Sequence, residues 1–275
     1  MQTVEIKKRK LDPDGFIGRY ADDSDCKTRI DFDAKVYLDG ELSMVHLHDI
    51  GIDLEPFYKE LSSFKKWTSS TRTTKRSSLK STSKTFGYLP RNPLRGQPCN
   101  PSVLCKQSPE LWSKLMSISE LVSDIYKKEN DKLWSKHNSL ANEKLKTNYR
   151  ISKTPFTTGI INKSSRLQYH FDAGNFADVW SAMLCVSNGI HGGDLCLPEL
   201  NTRVEISNGS LTFFNGQGLI HGVSKFKRTR ENAERYTIVW YSLVRLWQCL
   251  AQKDEVNLMN ERQVKLIKKK AGKHA

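Results

Sequence analysis

The chain has 275 residues, 37% of them hydrophobic, and carries 44 Lys and Arg against 30 Asp and Glu, a formal charge of +14 with a pI near 9.5. A chain of this length buries roughly three quarters of its unfolded surface, which excludes a stapled miniprotein; no run approaches the ~18 apolar residues of a membrane span and the opening MQTVEIKKRK has no signal-peptide core, so a soluble intracellular protein is expected. The excess of positive charge points to a polyanionic partner, nucleic acid ahead of an acidic membrane surface.

In chain order, Lys7-Lys8-Arg9-Lys10 has the form of a short nuclear-import signal. It suggests a nuclear location if the source is eukaryotic and a cytoplasmic one if it is a bacterium or phage. His46-Leu47-His48-Asp49 has no distant partner at a familiar ligand spacing and reads as a half-exposed strand. A short helix is expected from Leu54 to about Lys65, and residues 1–60 form an N-terminal extension without an assigned role. From Leu61 to Pro109 there are ten Lys or Arg residues and no Asp or Glu. Its first part, KKWTSSTRTTKRSSLKSTSK, has almost nothing to bury, so residues 61–85 read as a mobile loop or arm facing phosphates. The candidate nucleic-acid contacts are Lys75, Arg76, Lys80, Lys84, Arg91 and Arg95. Trp67, Phe86 and Tyr88 border this stretch, with core packing the favoured role for each.

Ser108-Pro109-Glu110 is a helix start, and the recurrence of Leu111, Leu115, Ile118, Val122 and Ile125 predicts helices to about Lys146 with a break near Asn130-Asp131. From Ile160 onward the pattern changes to seven short β-rich runs, RLQYH, WSAMLCVS, DLCLP, TRVEI, SLTFF, GLIHGV and RYTIVWYSLV, separated by turn signals. Such spacing predicts an α+β fold, a jelly roll of antiparallel strands with helices packed on its outside. Residues 86–250 would form this domain, and residues 251–275, with six positive charges and no acid from Arg262 to Lys273, a basic tail. The six cysteines show no CxxC pair or zinc spacing and read as reduced thiols.

His170 and Asp172 stand two apart on a predicted strand, so both side chains share one face. An HxD triplet alone says little. His221 follows 49 residues later, and Arg235 14 residues after that at the head of the last strand. Two His and one carboxylate on one side of a metal leave positions open, the arrangement of non-haem Fe(II) oxygenases. By strand parity Arg235 and Thr237 face the same way and offer a guanidinium fork and a hydroxyl to one carboxylate.

With this set, the strings FGYLPRNPLRGQPCNPSVL, YHFDAGNF, GGDLCLPEL, LTFFNGQGLIHGV and RYTIVWYS resemble the TET/JBP branch of the 2-oxoglutarate and Fe(II)-dependent dioxygenases, over about Phe86 to Leu243. The resemblance implies a double-stranded β-helix core and an enzyme that uses Fe(II), 2-oxoglutarate and O2 to oxidise the methyl group of a 5-methylpyrimidine in DNA. It implies His170, Asp172 and His221 as metal ligands, Arg235 and Thr237 at the 2-oxoglutarate carboxylate, and Asn175 at the base. Conversion of 5-methylcytosine to 5-hydroxymethylcytosine, or further, is the first expectation and thymine hydroxylation the alternative. The choice stays open because Leu243 stands where animal TET enzymes place a base-contacting His. The cysteine-rich zinc region of animal TET proteins is absent, so the acid-free stretch is expected to grip DNA instead. The implied partner is duplex DNA with a flipped base, met by a monomer without a membrane or protein partner. Two rivals remain: a 2-oxoglutarate oxygenase of protein or a small molecule, and a non-enzymatic nucleic-acid-binding module on an inactive barrel.

Overall fold

The structure, a computed structural model, describes residues 1–73, 78–146 and 149–271, with side chains described outside 70–80 and 266–271. Its strands are β1 (Gln2–Ile6), β2 (Thr28–Ile30), β3 (Ala34–Leu38), β4 (Glu41–Leu47), β5 (Thr68–Thr73), β6 (Ser78–Leu89), β7 (Asn100–Pro101) and β8 (Thr158–Lys163), followed by β9 (Ser181–Asn188), β10 (Ile190–Gly192), β11 (Leu195–Leu197), β12 (Thr202–Val204), β13 (Leu211–Phe214), β14 (Gly222–Val223), β15 (Phe226–Arg228) and β16 (Glu234–Tyr241). The helices are α1 (Glu55–Ser63), α2 (Val103–Gln107), α3 (Pro109–Glu129), α4 (Asp131–Lys144) and α5 (Gln252–Ala271). Two compact units result, residues 1–84 with 159–241 and residues 85–158 with 242–275. Among the described residues no helix is long and apolar enough to cross a membrane.

In the first unit the main sheet runs β1-β3-β4-β13-β9-β16-β8-β6-β5 and a smaller sheet runs β14-β11-β12-β2. Between them lies one apolar core: Met44, Met183, Cys185 and Phe214 from the main sheet meet Ile30, Leu195, Leu197 and Val204 from the smaller one. This is the expected jelly roll. Alternation explains who faces whom. On β9, Met183 and Cys185 enter this core, while Ala182, Leu184 and Val186 fill the opposite face, which α1 covers. Each Val, Leu, Ile, Phe or Met among these contributes roughly 1.5–3 kcal/mol when fully buried.

The structure corrects the expected organisation at both ends. Residues 1–60 are no separate extension: β1, β3 and β4 belong to the main sheet, and β2 pairs in parallel with β12. His46 lies on β4 fully buried, its Nδ1 2.9 Å from Thr212 Oγ1, where a half-exposed strand was expected. Nor are residues 61–85 a free arm. Thr68–Thr73 pair antiparallel with Ser78–Ser83 at the end of the main sheet, and the Ser165 hydroxyl bonds both the amide and the carbonyl of Thr82. Ser, Thr and Lys are what a sheet edge tolerates, so the lack of apolar residues marks an edge strand rather than an unfolded one. Trp67 stacks on Tyr236 with ring centroids 5.6 Å apart, and Phe86 is fully buried, so both serve packing.

In the second unit the helix break falls where expected, with the Asn130 side chain capping α4 by accepting from the Leu133 amide at 3.1 Å. Leu111, Leu115, Val122 and Tyr126 form the buried stripe of α3. Two expectations fail here. Cys99 and Cys249 form a disulfide across 150 residues of sequence, with Cα atoms 6.0 Å apart, whereas reduced thiols were expected; such a pairing depends on the fold and has no spacing signature. The second is the basic tail from residue 251, whose start is held in the fold: α5 buries Glu255, which pairs with Arg91 and accepts from the amides of Cys99 and Leu250, while Arg262 and Lys265 further along are exposed.

His137 on α4 is fully buried, its Nε2 2.8 Å from Ser242 Oγ, and burial pulls its pKa from 6.5 down to about 3. The unfolded chain therefore binds a proton below pH 6.5 that the folded chain refuses until about pH 3, so stability falls with falling pH across that window. The slope from this group is about 1.4 kcal/mol per pH unit. Denaturant titrations of His137→Gln between pH 7 and 4 are expected to show a shallower fall than the parent; equal slopes would remove His137 as the cause.

Candidate metal centre and cosubstrate site

The metal-ligand candidates are assembled by one backbone bridge rather than by the short strand expected from RLQYH. His170 and His221 exchange both main-chain hydrogen bonds, at 2.9 and 3.1 Å, as an isolated antiparallel pair. Their neighbours Tyr169 and Ile220 point the other way into an apolar cluster with Cys26 and Cys196. The Asp172 amide then donates to the Gly216 carbonyl at 2.9 Å, returning its carboxylate toward the two rings. Asp172 Oδ1 lies 3.5 Å from His170 Nε2 and 3.8 Å from His221 Nε2, and the three ligand atoms lie within 4.8 Å of one another. Gly216 makes room for this: a Cβ there would sit 2.4 Å from Asp172 Oδ2.

Both imidazoles are set in the same tautomer. His170 Nδ1 faces the Gln168 carbonyl at 2.7 Å and His221 Nδ1 faces the Leu219 carbonyl at 3.0 Å, so each Nδ1 carries the proton and each Nε2 presents its lone pair. Burial, together with the neighbouring His170, lowers the His221 pKa to about 4, which keeps its ring neutral. Two neutral Nε2 donors and one carboxylate on one side fit a divalent iron with open positions.

Arg235 and Thr237 lie on β16, opposite Ser187 and Cys185 of β9. Both are buried, at 2% and 5% exposure. One Arg235 Nη2 donates to the Gly193 carbonyl at 3.0 Å, while its Nε has no hydrogen-bond partner and no carboxylate lies within 4 Å of it among the described residues. A buried guanidinium without a counter-ion calls for an anion from outside, and the far carboxylate of 2-oxoglutarate supplies one. Sequence reading missed Cys185: burial pushes its thiol up in pKa while the positive charge of Arg235 acts against that shift, and only the cross-strand register exposes the relation.

The remaining candidates divide. Asn175 is buried and donates to Ser181 Oγ at 3.3 Å. Lys84 is half-buried and Arg95 exposed, whereas Lys75 and Arg76, and the side chain of Lys80, lie outside the described residues. Arg91 is corrected: its guanidinium is taken up by buried Glu255 and the Gln248 carbonyl, which leaves it unsuited to phosphate. Leu243 packs with Tyr149, Leu246 and the Cys99–Cys249 pair.

A jelly roll carrying two His, one carboxylate and an inward, unpaired Arg defines an iron- and 2-oxoglutarate-dependent oxygenase. Residues 91–243 match the Tet_JBP model, the oxygenase domain of the 2OGFeDO superfamily, and the chain belongs to that family. It is 25% identical over 133 residues to thymine dioxygenase JBP1 of Leishmania braziliensis and 26% over 132 residues to that of Crithidia fasciculata. Those alignments cover 48% and 47% of this chain but only 16% of each relative. The fold is similar to that of NgTET1 in complex with 5mC DNA, with a TM-score of 0.61 and 15% identity over 85% of this chain and 86% of that one.

A Gly216→Ala variant is expected to push the Asp172 carboxylate off its position and weaken metal binding by about tenfold or more, the usual scale for disturbing a ligand's support. The melting temperature should change little. Equilibrium dialysis with Co(II) as the probe checks this; parental affinity would place the metal elsewhere.

Proposed function

We propose that this oxygenase oxidises the methyl group of a 5-methylpyrimidine base in DNA, with 5-methylcytosine the first candidate. The observation that carries the reading is the triad itself, three ligand atoms converging with both Nδ1 positions already used. The named substrates of its relatives, thymine for the two JBP1 proteins and 5mC DNA for NgTET1, support the class of base.

In this reading His170, Asp172 and His221 hold the iron. The bound iron supplies the oxidising chemistry in which 2-oxoglutarate is decarboxylated to succinate and one oxygen atom enters a methyl C–H bond. The chain's own residues do the positioning. Arg235 pairs with the distal carboxylate of 2-oxoglutarate, Thr237 adds a hydroxyl on the same face, and the ring of Phe214, 5.1 Å from that of His221, keeps water from one side of the ligand. Asn175 offers an amide to the edge of a base turned out of the duplex, a step costing a few kcal/mol. Thymine hydroxylation is the second reading, favoured by the thymine dioxygenase relatives.

The test is incubation with Fe(II), 2-oxoglutarate and duplex DNA bearing 5-methylcytosine or only the four ordinary bases, followed by mass spectrometry of the nucleosides. Hydroxymethylcytosine is expected from the first, and hydroxymethyluracil from either DNA would instead establish thymine as the target. Neither product would sink the DNA reading. Asp172→Ala should abolish turnover. Arg235→Lys keeps the charge but loses the fork, so the apparent affinity for 2-oxoglutarate should fall about tenfold, or ~1.4 kcal/mol; an unchanged value would remove Arg235 from the site.

A further inference from the structure

The positive charge is concentrated in the second unit. Residues 85–158 and 242–275 contain 20 Lys or Arg against 9 Asp or Glu, a net +11 of the chain's +14, while residues 1–84 and 159–241 contain 24 against 21. Within the basic unit lies an open cavity of about 930 Å3. Its walls include the rings of Trp112, Trp134, Tyr88 and Tyr149, and the cations Arg150 and Lys153. Trp112 and Trp134 are half-buried, and Lys153 is exposed.

Arg150 carries the argument for an anion. Its Nε donates to the Thr154 carbonyl at 2.7 Å and its two terminal nitrogens to the side-chain oxygens of Asn142 and Asn138, all neutral acceptors. Among the described residues no carboxylate lies within 4 Å of it, so a partly buried charge faces the cavity uncompensated; burial accordingly lowers its pKa. Arg91 of the same unit shows the alternative, a guanidinium neutralised by a buried Glu.

We infer that this cavity is a nucleic-acid subsite that takes an unpaired nucleotide, its base against the indole faces of Trp112 and Trp134 and its phosphate toward Arg150 and Lys153. Aromatic rings beside cations are the chemistry of single-strand binding, because every base has a π-face and every linkage a charge. A duplex keeps its bases stacked inside and can present one to these rings only at the further cost of unstacking it, whereas a single strand presents its bases freely. An acidic peptide satisfies the cations but leaves the ring faces without a flat partner. The volume suits one or two nucleotides and lies within the range of ligand pockets. The inference rests on the nucleic-acid reading above, and its test is a binding measurement independent of turnover.

Anisotropy of a short fluorescein-labelled single-stranded oligonucleotide, titrated with the full chain at fixed salt, supplies the test, together with an abasic strand of equal length. Trp112→Leu is expected to weaken the base-bearing strand about fivefold or more, the loss expected for one stacked base, and to leave the abasic strand unchanged. Trp112→Phe should recover most of the loss. Lys153→Gln, at an exposed position, should flatten the salt dependence of the log affinity by about 0.7, the value for one phosphate of a single strand. Equal binding by parent and Trp112→Leu, failure of Trp112→Phe to rescue, or displacement by poly-glutamate as complete as by oligonucleotide would each overturn the subsite. If methylated DNA is oxidised yet these variants bind as the parent does, the subsite alone fails. If the variants behave as expected but no methyl group is oxidised, the substrate reading fails and the subsite stands.

Discussion

The pair of hydrogen bonds between the main chains of His170 and His221 is the constraint on which the site depends. Residues 51 apart in sequence are locked opposite each other, so their side chains leave neighbouring backbone positions and their rings lie with centroids 4.4 Å apart. The pleat does the rest: with Tyr169 and Ile220 held in an apolar cluster on one side, His170 and His221 must face the other. The carbonyls of Gln168 and Leu219, two residues before each His, then fix both tautomers. Ligand position, ring orientation and protonation thus follow from local backbone geometry backed by a small core, which is how a site avoids paying for order only when its metal arrives.

Much of this was legible in the sequence, for a physical reason. Metal ligation and carboxylate recognition admit few residue types, and strand parity converts spacing into a shared face, so His170, Asp172, Arg235 and Thr237 announced their directions. The jelly roll was legible from the regular spacing of short apolar runs after Ile160. The ligand-bearing segment around His170 nevertheless proved to be a bridge within a loop, because RLQYH carries the composition of a strand but pairs for a single residue. Alternation survives that difference, which is why His170 and Asp172 still turn to one side and converge with His221.

What escaped the sequence depends on distant pairing. The strands before residue 48 are mostly short, and only β12, β13 and one another give them places in the sheets. The Ser/Thr-rich stretch looked unfoldable because a sequence scan counts apolar residues, whereas an edge strand is held by its backbone ladder and is better for being polar. The Cys99–Cys249 pair and the Cys185–Arg235 contact have no periodicity at all.

Three arginines show why a charge inventory falls short of a functional map. Arg91, Arg150 and Arg235 are alike in sequence, and all three are withdrawn from bulk water. Arg91 meets the Glu255 carboxylate and its charge is spent within the fold. Arg235 meets one carbonyl and a thiol, Arg150 only neutral oxygens. Withdrawing a guanidinium from water without a counter-ion costs stability, and a fold retains such an arrangement where binding returns what folding gave up. The absence of a nearby carboxylate among the described residues, rather than the presence of the cation, therefore separates Arg235 and Arg150 from the arginine that fastens α5, and that distinction exists only once the chain is folded.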